Sequence, residues 1–166
     1  MLLRSYRPDD LARLHVINEG AYPGVASETI EMLGQIADES VITVVAELDG
    51  EIAGFCLVLA PDADYDSVNF IWFGERYDDF VYLDRVAVDP AFKRRGVGRA
   101  MYAEVERLIA ERCPTATQFT LEVNIEPRND ESLAFHHQLG FVEVGQQVTD
   151  YGTTVSLMSK PLTPSS

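Results

Sequence analysis

Between Val86 and Met101 the chain reads VAVDPAFKRRGVGRAM, and this stretch restricts the fold more than any other. The near-continuous apolar run from Phe80 to Val88 reads as a buried strand, stopped by Asp89-Pro90. A basic loop follows, with Lys93, Arg94 and Arg95, and Arg99 just beyond. Gly96 and Gly98 then open a helix that carries Val97, Met101, Val105 and Leu108 on one face as far as Arg112. The first N–H groups of a helix lack partners and sit at the positive end of its dipole, so a phosphate placed there is stabilised. The glycines let backbone approach a ligand closely, and the cations add charge-assisted bonds.

The rest of the chain frames that loop. Leu2 to Tyr6 reads as a short strand, and Pro8-Asp9-Asp10 starts a helix bearing Leu11, Leu14 and Ile17. Tyr22-Pro23-Gly24 breaks it, and Ser27 is expected to cap a second helix with Ile30, Leu33 and Ile36 on one face. Val41–Leu48 and Ile52–Leu59 flank Asp49-Gly50, a dipeptide suited to the positive φ angles of a tight hairpin. Residues 60–79 carry Pro61, many acids and the group Phe70-Ile71-Trp72-Phe73, a stretch too long for a plain connection. Phe119–Val123 reads as a strand, Asn129 caps a helix that ends at Leu139-Gly140, and Phe141–Val144 and Thr153–Met158 close the pattern as strands. The expected architecture is a mixed sheet with helices on both faces, one domain over 1–162, and a tail over 163–166.

Charge narrows the partners. The chain of 166 residues has a net charge of -14. All of it resides between Asp9 and Asp79, where 16 acidic residues face only Arg13 and Arg76; the remainder holds 11 of each sign. An acidic field repels nucleic-acid phosphates, so a nucleic-acid partner is not expected. No apolar run reaches the ~20 residues of a membrane span, and the first residues lack the apolar core of a secretory signal. With two cysteines, and no metal-ligand spacing among three histidines, the reading is a cytoplasmic chain without a structural disulfide or metal.

Two common phosphate loops do not fit. Walker A is absent, and Met101 occupies the third glycine position of a dinucleotide fingerprint. The segment KRRGVG, Lys93 to Gly98, instead resembles the Q/R-x-x-G-x-G/A loop of the GNAT superfamily of acetyl-CoA-dependent N-acetyltransferases. YLDRVAV directly before it, TLEVNIEPRN ending at Asn129, and FHHQLGF near the C-terminus resemble the same family in the same order. The pieces are most similar to the branch that holds ribosomal-protein N-terminal acetyltransferases.

That resemblance implies a mostly antiparallel GNAT-like sheet whose fourth and fifth strands splay. It implies that Val86, Ala87 and Val88 meet the pantetheine and thioester of acetyl-CoA through their backbones. Lys93, Arg94, Arg95, Gly96, Val97, Gly98 and Arg99 would then hold the pyrophosphate, and Asn129 the pantetheine arm. An amine attacking a thioester must first lose its proton, a task for a carboxylate. Glu122, at the position of the branch's glutamate, is the first expected base and Asp84 the second; either is otherwise a partner for an arginine such as Arg85. His136 stands where the family usually has a tyrosine acid. It either donates a proton to the leaving thiolate or is a helix residue bonding the CoA sulfur or a backbone carbonyl.

By the same resemblance the acceptor meets the first two helices and the segment before the fourth strand. Glu19, Tyr22, Trp72, Phe73 and Asp79 lie there, and carboxylates beside aromatics suit a cationic small-molecule amine or a peptide N-terminus. The aromatics otherwise plug the core or make a homodimer contact. Two further readings stay open: a non-catalytic acetyl-CoA-binding module, and an interaction protein that uses Phe70–Phe73.

Overall fold

The computed structural model describes residues 1–163, so most of the expected tail lies outside the described residues. Seven strands lie in the order β1-β2-β3-β4-β5-β7-β6: β1 (Leu2–Arg4), β2 (Ile42–Leu48), β3 (Glu51–Leu59), β4 (Phe80–Val88), β5 (Gln118–Glu126), β6 (Val142–Val148) and β7 (Thr154–Pro161). Five α-helices are described: α1 (Leu11–Gly20), α2 (Ile30–Glu39), α3 (Val68–Gly74), α4 (Val97–Arg112) and α5 (Asp130–Gln138). Pairing is antiparallel for β1–β2, β2–β3, β5–β7 and β6–β7, and parallel for β4–β5. The parallel ladder consists of three register pairs, Phe80, Val81 and Tyr82 with Gln118, Phe119 and Thr120, the first third of two nine-residue strands.

The chain forms two compact units, Met1–Leu59 with Leu83–Cys113, and Ala60–Tyr82 with the chain from Pro114 onward. In the first, Asp49 (φ 56°) and Gly50 (φ 79°) make the hairpin turn between β2 and β3. Every residue from Ala53 to Leu59 is buried, which a strand achieves only with both faces covered; α1, α2 and α4 pack on it. The expected face of α4 is the buried one, with Val97, Met101, Val105 and Leu108 all 6% exposed or less. One expectation shifts by two residues. Thr29, not Ser27, caps α2, its Oγ1 accepting the Met32 N–H at 3.1 Å, because the Ser27 hydroxyl is taken by Glu19.

In the second unit the 60–79 stretch has structure of its own. α3 buries Asn69, Phe70 and Phe73, and the Phe70 and Phe73 rings each pack on those of Phe80 and Tyr82 at centroid distances of 5.5 to 6.4 Å. Asn69 accepts a hydrogen bond from Gln147 on β6 at 3.0 Å. Asn129 caps α5 through the Ser132 N–H, and Gly140 (φ 99°) ends it, both as expected.

Candidate active site

The loop after β4 is built by Asp89. Its N–H donates to Ala53 O at 2.8 Å, one carboxylate oxygen accepts the Ala91 N–H, and the other pairs with Arg13. The Ala91 N–H foremost, with the Arg13 guanidinium, holds this carboxyl below its ordinary pKa. Phe92 is buried beneath the turn, whereas Lys93, Arg94 and Arg95 are exposed; Arg95 reaches Asp49 of the hairpin at 3.1 Å. Arg94 has φ 62° and Gly96 φ 79°, and Gly96 caps α4 without any side chain. Backbone turned in this way presents successive amides outward, and the first turn of α4 adds more. Exposed cations, outward amides and a helix start are a donor set that suits a diphosphate.

Beside the loop, Val86 and Val88 are half-buried and Ala87 is buried. Gly54 on β3 permits their placement, for a Cβ there would lie 2.8 Å from Ala87 O, 3.1 Å from Met101 Cε and 3.3 Å from Val97 Cγ1.

Asp84 is engaged elsewhere. Its carboxylate is almost fully buried and accepts from Arg85 Nε at 2.8 Å. Arg85, 5% exposed, also donates to Asn18 Oδ1 at 3.0 Å and lies 3.7 Å from the Glu28 carboxylate. Glu19 accepts from Ser27 Oγ (2.6 Å), Asn18 Nδ2 (2.9 Å) and the Glu28 N–H (3.1 Å). These bonds, Ser27's first, lower its pKa and make it the organiser of the α1–α2 connection, on which Tyr22 is exposed.

Within the second unit, Glu122 on β5 is half-buried and accepts the Tyr82 hydroxyl at 2.7 Å. Trp72 is half-buried, with the Arg76 guanidinium 3.6 Å from its ring centre and its ring against Gly145, where a Cβ would come within 2.5 Å. Phe73 has no exposed surface and is a core residue. Asp79 is half-buried, and its carbonyl accepts both the N–H and the hydroxyl of Thr117. Asn129 is half-buried at the start of α5; its cap uses Oδ1 and not the amide nitrogen.

His136 is 5% exposed, wedged edge-on between Phe135 and Phe141. Its Nδ1 lies 2.7 Å from Ser132 O, and a carbonyl only accepts, so the proton of the neutral ring sits on Nδ1. Burial above all pushes the imidazole pKa below its ordinary value. In the neutral ring Nε2 is thus the unprotonated nitrogen, and the contact at Nδ1 is that of a helix residue bonded to a backbone carbonyl. His136→Phe is expected to keep kcat between pH 6 and 9; a tenfold loss would restore the acid. The folded pKa is depressed, so the neutral ring favours the folded state above the unfolded value of ~6.5, and that contribution is lost as pH falls further. Wild type should lose more melting temperature than His136→Phe between pH 7 and 5.

The Tyr82–Glu122 bond, the Asn18–Arg85 network and the need for Gly54 were absent from the sequence reading. Each joins residues at least 33 positions apart, where no local pattern signals the contact. Among the described residues no cluster of His, Cys, Asp or Glu is arranged to hold a metal, and no helix is long and apolar enough to cross a membrane.

Strand order, a short parallel ladder and a glycine-opened helix after a basic loop define an acyl-CoA transferase fold. The sequence model described as the acetyltransferase (GNAT) family matches residues 11–141, and the chain belongs to that family of acetyl-CoA-dependent N-acetyltransferases. No curated protein matches it in sequence. Solved structures share the fold at low identity. The ribosomal-protein-S18-alanine N-acetyltransferase from Escherichia coli has a TM-score of 0.75 at 19% identity, covering 99% of this chain and 96% of that one. The ribosomal-protein-alanine N-acetyltransferase from Brucella melitensis has a TM-score of 0.74 at 22% identity, covering 98% and 100%. The protein yncA from Salmonella typhimurium, with its cofactor acetyl-CoA, has a TM-score of 0.72 at 21% identity, covering 100% and 96%.

Proposed function

We propose that this chain acetylates a cationic primary amine, on a small molecule or at a peptide N-terminus, by direct attack with Glu122 as base. The observation that carries the reading is the segment from Asp89 to Gly98, whose positive-φ backbone, exposed cations and side-chain-free helix cap suit a diphosphate. In this reading Lys93 to Arg99 hold the pyrophosphate, the Val86, Ala87 and Val88 backbone aligns the thioester arm, and Asn129 donates to that arm. Bound acetyl-CoA supplies a thioester carbonyl activated toward an amine.

Glu122 accepts the ammonium proton, leaving the nitrogen lone pair to attack the thioester carbonyl. As the C–N bond forms the C–S bond breaks, coenzyme A leaves as its thiolate, and water carries the second proton of the nitrogen to that sulfur. Asp84 is the weaker second base, because its charge is already committed to Arg85. His136 stays out of the proton inventory, its one proton bonded to Ser132. Tyr22, Trp72 and Asp79 are the proposed acceptor contacts, while Glu19 and Phe73 shape the segments that carry them. The aromatic interaction surface has less to offer than the sequence promised, since Phe70 and Phe73 are 6% and 0% exposed.

The test is thiol release from acetyl-CoA over a panel of polyamines, amino acids, aminoglycosides and N-terminal peptides. Turnover is expected with cationic amines. Turnover of neutral or acidic amines alone would overturn the acceptor reading. Coenzyme A binding without turnover on any amine would point to a non-catalytic module.

A further inference from the structure

Tyr82 has no exposed surface, and its ring is held by Phe70 and Phe73 at centroid distances of 5.5 and 5.9 Å. Phenylalanine would meet those packing demands; the hydroxyl adds only a polar group, and burying one without a partner is costly. Here the hydroxyl donates to Glu122 Oε2 at 2.7 Å. The register explains the reach. Tyr82 is paired with Thr120, Glu122 is two residues further along the same face of β5, and Thr120 spends its own hydroxyl on Val81 O at 2.9 Å.

We infer that Tyr82 is a positioning residue for Glu122, its O–H fixing the carboxylate in one orientation and favouring the ionised form that accepts the amine's proton. The inference rests on the reading of Glu122 as the base. Two effects support it. A glutamate has three rotatable bonds, and a donor anchored in a packed aromatic cluster removes that freedom before substrate arrives. A hydrogen bond donated to a carboxylate also stabilises its charged form over its protonated one. Of the elements around Glu122, β4 brings Tyr82, β7 places apolar Leu157 opposite it, and the β6–β7 turn brings Tyr151. The Tyr151 phenol pKa is raised, by burial first and by the Glu122 charge second, so this neighbour faces the carboxylate as a neutral group.

The experiment is a double-mutant cycle on the full chain with Tyr82→Phe, Glu122→Gln and the pair, using the best amine of the panel. Tyr82→Phe should lower kcat/KM about tenfold on the acid side of the profile and move its acid limb to higher pH. KM for acetyl-CoA should stay within about twofold, because the deleted atom acts through the base alone. In the Glu122→Gln background the same change should cost less than about twofold. An unmoved pH profile for Tyr82→Phe, with Glu122→Gln inactive, overturns the positioning role and leaves the base reading standing. An equal loss at all pH values and in both backgrounds marks a purely structural tyrosine and also overturns it. Full activity of Glu122→Gln overturns both readings together.

Discussion

Glu122→Gln is expected to lower kcat by about 10²- to 10⁴-fold, the usual range for loss of a general base, with KM for acetyl-CoA little changed. Glutamine keeps the size of the side chain and can still accept the Tyr82 hydroxyl through its carbonyl, so the fold has no reason to change. What is lost is the group that takes the ammonium proton. At high pH the amine arrives already neutral, so the deficit should narrow there, and an amine of low pKa should be affected least. The check is steady-state kinetics on two amines of different pKa across the pH range. A deficit that is the same at every pH and for both amines would mean that Glu122 does not handle that proton.

Gly54→Ala should cost about 1–3 kcal/mol of stability, the range for overpacking, and lower the melting temperature by several degrees. The added Cβ would lie 2.8 Å from the Ala87 carbonyl oxygen, a backbone atom with no flexible end to swing away, while Met101 Cε and Val97 Cγ1 close the other sides. Relief requires β4 to move at Ala87, or the first turn of α4 to shift at Val97. Both are proposed to hold acetyl-CoA, so binding of coenzyme A should weaken about tenfold or more. Gly20, with no atom within 4 Å of its would-be Cβ, is the control position, and Gly20→Ala should leave binding intact. Thermal melts and a coenzyme A titration on both variants decide it. Unchanged binding with lowered stability would separate β4 packing from the cofactor.

The parts legible in the sequence were those written in neighbouring residues. The β4 bounds, the Asp89-Pro90 stop, the Gly96 opening of α4 and the Asp49-Gly50 hairpin all follow from one residue's backbone preference and appear in the structure where they were expected. The α2 cap slipped by two residues because Ser27 and Thr29 are equivalent as local signals. What separates them is Glu19, eight positions before Ser27, which claims its hydroxyl. α3 was missed because Val68, Phe70, Ile71, Trp72 and Phe73 favour strands by composition, whereas burial of Phe70 and Phe73 against Phe80 and Tyr82 decides for a helix.

For the site, residue types were legible and their employment was not. Glu19 read as a carboxylate open to a substrate amine, yet Ser27, Asn18 and the Glu28 amide occupy it; Asp84 read as a second base or as a partner for Arg85, and it is bonded to Arg85. His136 read either as a proton donor or as a helix residue bonded to a backbone carbonyl, and the Ser132 carbonyl at 2.7 Å from Nδ1 is the contact the second of these named.

The most direct measurement is a calorimetric titration of coenzyme A followed by backbone amide spectra of the complex. The account requires one saturable site per chain, with the largest amide changes at Arg94 through Arg99. Absence of saturable heat, or amide changes confined to other segments, would contradict it.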